Sequence, residues 1–145
     1  MRNEICTLLL ACLVPFASTA AEPVNVSQAW ARATVPGQEV GAAYMVLQSA
    51  TDAALTGVTS PAADSIEIHK MSMNKGVMEM RMLETLPLPA GKAVKLEPGG
   101  FHLMLFDLKK PLKASDQLML TLKIRDKSGK TSTQVVRVPV KSAKD

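Results

Sequence analysis

Read for its alternation of apolar and polar positions, the chain divides into short extended runs punctuated by turn residues. Val24–Arg32 alternates weakly and leads to a Pro36-Gly37 turn. Residues 42–47 are apolar almost throughout, and residues 54–60 form a further run. Between them, Gln48 to Asp52 is a polar break. Ser60-Pro61-Ala62-Ala63-Asp64 has the composition of a single helical turn, with serine as cap and proline first. Residues 66–73 and 77–82 flank Asn74-Lys75-Gly76, a hairpin signal. Pro87 and Pro89-Ala90-Gly91 interrupt the pattern, residues 93–96 resume it, and Pro98-Gly99-Gly100 turns into residues 101–106. A second hairpin is predicted from residues 117–124 and 131–138 around Asp126-Lys127-Ser128-Gly129. No window longer than about ten residues keeps a helical apolar period. Eight or nine short strands at this spacing predict an all-β fold, a Greek-key β-sandwich or barrel.

The first 21 residues follow different rules. Arg2 precedes a largely apolar run over residues 5–16, and Ser18-Thr19-Ala20-Ala21 offers small residues for cleavage. That arrangement predicts a secretory signal: the run is too short to span a bilayer and Pro15 interrupts it. Cleavage after Ala20 or Ala21 leaves a single domain over residues 22–140, a basic tail at 141–145 expected to fray, and no transmembrane segment in the mature protein. The expected location is outside the cytoplasm. Leu9-Leu10-Ala11-Cys12 offers an alternative, a lipoprotein cleavage site with Cys12 as the acylated residue. The chain has two cysteines, Cys6 and Cys12, and both lie in this segment. The secreted part is therefore expected to have neither a disulfide nor a thiolate ligand.

Charge adds little. The net charge of +4 is spread over scattered lysines and arginines, and aromatic residues make up only 3% of the chain. Without a basic helix or a stacking set, nucleic-acid binding is not expected. A histidine base at recognisable spacing from a nucleophile, a glycine-rich phosphate loop and a paired-carboxylate signal are all lacking, so the chain does not read as an enzyme.

The chemistry concentrates between residues 69 and 104. Five of the nine methionines, Met71, Met73, Met78, Met80 and Met82, fall within twelve residues, and both histidines, His69 and His102, share the interval with them and Met104. Thioether sulfur is a soft, neutral donor that suits Cu(I), and neutral imidazole is a borderline donor. Zn(II) prefers thiolate, imidazole and carboxylate. On a strand, His69, Met71 and Met73 share a face, as do Met78, Met80 and Met82, and as do His102 and Met104. A four-residue loop at 74–77 sets Met73 opposite Met78, Met71 opposite Met80 and His69 opposite Met82; a slip of one residue sends the second set to the other side. Met45 and Met119 are expected in the core, with Trp30 and Tyr44 in or near it, and Phe101 and Phe106 beside the site.

His69, ten residues, Met80, twenty-one residues, His102, one residue, Met104 resembles the signature of the periplasmic copper chaperones of the PCu(A)C family. Ala29-Trp30-Ala-Arg-Ala-Thr-Val-Pro-Gly37, Gly41-Ala-Ala-Tyr44, Ile66-Glu-Ile-His69 and Pro98-Gly-Gly-Phe-His-Leu-Met-Leu105 are similar to family segments. The resemblance implies a cupredoxin-like β-sandwich that binds one Cu(I) through His69, Met80, His102 and Met104. It further implies a monomeric, methionine-rich chaperone for cytochrome c oxidase assembly, delivering copper to the Cu(A) site of an oxidase subunit or to another copper chaperone. Relatives with a Met- and His-rich tail can hold additional copper; here the tail is Lys-rich and has neither residue. Taken singly, Met71, Met73, Met78 and Met82 are expected to pack or to form a docking rim. The competing reading is a secreted β-sandwich interaction module or copper-storage protein whose methionine patch is a docking surface.

Overall fold

A computed structural model of the chain describes residues 23–142. The expected signal with its cleavage point and Cys12, and residues 143–145 of the tail, lie outside the described residues. Among the described residues strands alone carry the fold: β1 (Val24–Arg32), β2 (Gly41–Ser49), β3 (Ala53–Thr59), β4 (Ala63–Asn74), β5 (Val77–Leu83), β6 (Leu86–Leu88), β7 (Ala93–Leu96), β8 (Phe101–Leu108), β9 (Gln117–Asp126) and β10 (Thr131–Lys141). Their hydrogen-bonded order is β5-β4-β8-β7-β2-β1-β10-β9-β3-β6, and a further pairing of β3 with β4 at Val58 and Ile66 curls the sheet back on itself. Only β1–β10 and β7–β8 run parallel. The result is the expected cupredoxin-like, all-β sandwich, closed through β3 and β4 with β5 and β6 left as edges. No helix among the described residues is long and apolar enough to cross a membrane.

Alternation builds the core. On β8, Leu103 and Leu105 are fully buried, and β9 points Leu118, Leu120, Leu122 and Ile124 inward. Met45 and Leu47 of β2, Ile68 of β4 and Val138 and Val140 of β10 meet them in one apolar cluster. Each such side chain contributes about 1.5–3 kcal/mol on burial. Met119 was expected in this core and is not there: flanked by Leu118 and Leu120, it takes the outward parity of β9 and is 38% exposed.

The structure corrects the pattern at two other places. Residues 60–64 make no helical turn; the Ser60 hydroxyl accepts the Ala62 N–H at 3.2 Å, closing a tight turn, and β4 starts at Ala63. A serine side chain that bonds two residues ahead offers the backbone an alternative to helix. Pro87, read as a break, sits in the middle of β6, the strand at the end of the sheet order, where an edge position asks no N–H of it.

In β1 a bulge between Ser27 and Trp30, with Gln28 at φ 52°, shifts the register. Before it Val26 pairs with Leu47, and after it Ala31 pairs with Ala43, so the inward parity moves from even to odd positions. That shift turns Trp30 outward onto Tyr44, with ring centroids 4.6 Å apart. The outer face of β2 thereby gains an aromatic floor.

Candidate metal centre

Three neighbouring strands, β5, β4 and β8, carry the chemistry. Lys75 (φ 49°) and Gly76 (φ 78°) both adopt left-handed conformations, which is the two-residue turn whose twist matches a hairpin. The loop is therefore two residues, not the four considered from sequence, and Asn74 pairs with Val77. Because the difference is an even number of residues, the parity is unchanged. Met73 faces Met78, Met71 faces Met80, and His69 faces Met82. On the other side of β4, His69 pairs with His102 and Glu67 with Met104. Paired residues share a face, so six thioethers (Met71, Met73, Met78, Met80, Met82 and Met104) and both imidazoles project from one side of the sheet.

Met71, Met80, His102 and Met104 line one cleft of about 260 Å³ together with Arg32, Ala42, Tyr44, Pro98 and Gly99. Three of the four residues singled out by spacing thus share its walls. The fourth, His69, stands next to His102 with ring centroids 5.7 Å apart, and the Phe106 ring centroid lies 6.2 Å from it. Phe101 was expected beside the site; it has the opposite parity to His102 and packs against the core, with the Lys70 ammonium 5.7 Å from its ring. Tyr44 is buried, as expected, but its ring belongs to the cleft wall. Arg32 places its guanidinium carbon 6.0 and 5.9 Å from the Trp30 and Tyr44 ring centroids.

Hydrogen bonds define which nitrogen of each imidazole is free. His69 Nε2 lies 2.8 Å from Glu67 Oε2. An ionised carboxylate can only accept, so Nε2 carries the proton and, in the neutral ring, Nδ1 holds the lone pair. That Nδ1 is buried without a partner among the described residues. His102 Nδ1 donates to the Gly100 carbonyl at 3.2 Å, which leaves its Nε2 as the lone-pair nitrogen. His102 is itself only 5% exposed. A buried acceptor with nothing to accept from costs about 1–3 kcal/mol, and bonding to a metal relieves it. Two imidazoles held by a carboxylate and a carbonyl, beside several uncharged sulfurs, therefore fit a soft monovalent ion. Among the described residues no three His, Cys, Asp or Glu side chains gather into a possible metal cage.

Glu67 and Met71 are the members that spacing alone did not supply. Both lie two residues from His69, so period-two alternation puts them on its face. Arg32 and Tyr44 had no comparable signal, because their arrival depends on the β1 bulge and the β2–β8 pairing.

Comparison with known proteins places these features in a family. The family model described as "LpqE-like: Putative lipoprotein LpqE-like" matches residues 24–140. A Leifsonia xyli protein named "Putative lipoprotein Lxx21020" is 35% identical over 122 residues, which is 83% of this chain and 71% of that one. The solution structure of Cu(I)-DR1885 from Deinococcus radiodurans is 32% identical, with a TM-score of 0.61 over 86% of this chain and 83% of that one. The copper-bound PCuAC domain from PmoF2 shares the fold at 22% identity, with a TM-score of 0.65 over 85% of this chain and 96% of that one. The chain belongs to the LpqE-like family, and its fold is that of the PCuAC domains.

Proposed function

We propose that this protein is an extracytoplasmic copper chaperone that binds one Cu(I) through His69, Met80, His102 and Met104 and delivers it to cytochrome c oxidase assembly, with the Cu(A) site as recipient. One observation carries the ligand assignment: each histidine is tied at one nitrogen, to Glu67 or to the Gly100 carbonyl, and the other nitrogen is left for a soft-sulfur face. The Cu(I) form of the 32% identical relative supports copper as the ion. The lipoprotein description of the family supports a location outside the cytoplasm, and it raises the standing of Cys12 as an acylation site.

The chemistry suits carriage rather than turnover. Two imidazoles and two thioethers satisfy four coordination positions, leaving no open one for a substrate. Every donor is neutral when bound, so release needs no charge neutralisation, only competing ligands on the recipient. Met71 lines the same cleft as Met80 and is the available substitute sulfur.

Cu(I) titration against a competing chelator tests the assignment. The expected result is one tight equivalent, weakened by well over about tenfold in Met80→Leu and Met104→Leu, a loss larger than removal of an outer hydrogen-bond partner alone produces at its low end. Met71→Leu should change it little, and Zn(II) should compete poorly. Unchanged affinity in the Met80 and Met104 variants would overturn the ligand set. Preference for Zn(II) would overturn the choice of ion.

A further inference from the structure

The arm made by β5 and the outer half of β4 has two unlike faces. One presents Met71, Met73, Met78 and Met80 as two successive rungs. The reverse pairs Lys70 with Arg81, Ser72 with Glu79 and Asn74 with Val77. Met73 and Met78 form the outer rung, next to the turn, and are 66% and 60% exposed. Packing does not account for them, since neither belongs to the core cluster or its partly buried margin. Strand propensity does not account for them either, because exposed strand positions favour β-branched and aromatic residues. What all four positions have in common is thioether sulfur. The inner rung already reaches the cleft through Met71 and Met80, and the outer rung follows about 7 Å further along the strands.

We propose that the Met73–Met78 rung, with Met71 behind it, is a second soft-metal site: an outer port that takes Cu(I) ahead of the inner set. It has sulfur donors alone and stands open to water, so it binds more weakly than a site with two imidazoles, one buried and one half-buried. An ion moves inward by exchange of neutral ligands. Bonds to Met71 and Met80 form as those to Met73 and Met78 break, copper stays monovalent and no proton moves. The inward transfer rests on the reading of the inner set given above; binding at the rung itself does not.

Methionine methyl NMR on the purified protein separates the two. Ag(I), a soft monovalent ion with no accessible redox step here, and then Cu(I) are titrated into the wild type and into Met73→Leu/Met78→Leu. Leucine keeps apolar area at these exposed positions and removes only sulfur, so the fold and any hydrophobic docking are retained. The expected result is a tight equivalent followed by a weaker one in the wild type. The methyl signals of Met73 and Met78 shift during the second, and the double variant keeps the first equivalent and loses the second. Unmoved Met73 and Met78 methyl signals, or a second equivalent that survives in the double variant, would overturn the port. Absence of the tight equivalent would instead overturn the inner site, while the same two methyl signals still decide the port.

Discussion

At the scale of single residues, the proposed role of His69 depends on Glu67, whose Oε2 lies 2.8 Å from His69 Nε2. Its carboxylate fixes the proton on His69 Nε2 and so leaves Nδ1 as the lone-pair nitrogen, the proposed donor. Outer partners of this kind contribute about 10–100-fold in metal affinity. Glu67→Leu is expected to lose Cu(I) affinity in that range with the fold intact, whereas Glu67→Gln, whose amide oxygen can still accept from Nε2, should lose less. Competition titration measures the affinities, and ¹⁵N imidazole shifts report the His69 tautomer. Equal losses in the two variants would show that charge, not tautomer, is what Glu67 supplies. The pair His69 and Glu67 was legible as two positions on one strand face; which nitrogen the carboxylate takes was not, because that depends on rotamers that a sequence does not encode.

At the scale of elements, the β4–β5 hairpin delivers Met80, and its turn sets the register. Gly76 at φ 78° has open space around any added Cβ, so a substitution there is penalised by backbone conformation rather than by collision. Gly76→Val should cost the hairpin about 1–2 kcal/mol. Faster amide exchange in β5 and weaker Cu(I) binding, with the sandwich's own exchange unchanged, are the expected readouts. Loosened β5 with undiminished Cu(I) affinity would argue against Met80 as a ligand.

The β9–β10 turn behaves differently. Hydrogen bonding to the Ser128 side chain first, then bonds from the Lys130 and Ser128 backbone and the charge of Lys130, hold the Asp126 carboxyl below its ordinary value. A depressed folded-state value means that Asp126 stabilises the fold above the unfolded carboxylate pKa of about 3.9 and that this contribution is lost as pH falls through the lower folded value. Asp126→Ala should therefore lower thermal stability at neutral pH and flatten the decline in stability below about pH 4. Melting curves across that range test it; parallel wild-type and variant profiles would contradict it.

At the scale of the whole molecule, short runs and turn residues were enough to give the all-β class, both hairpins and the common parity of His69 with Met71 and of His102 with Met104, whereas the arrival of Met80 and His102 on the face of His69 depended on the β4–β5 and β4–β8 registers. Local pattern reaches that far because strand parity has period two and the Lys75-Gly76 turn leaves it intact. Features that depend on distant pairing escaped it. The bulge at Ser27–Trp30 reverses the parity of β1, and only the pairing of β2 with β8 sets Ala42 beside Met104 to complete the cleft wall. Phe101 and Met119 were misplaced for a local reason: each is one residue out of phase, within its own strand, with the side that its composition suggested.

In the proposed site, two imidazole nitrogens and two thioethers on this sheet face share one Cu(I). A crystal structure of the copper-loaded protein, with copper located by its anomalous scattering, tests it directly. One strong peak is expected, bonded to His69 Nδ1, His102 Nε2, Met80 Sδ and Met104 Sδ, with Glu67 still on His69 Nε2. A principal copper peak elsewhere on the molecule, or one bonded on this face without both histidines, would contradict it.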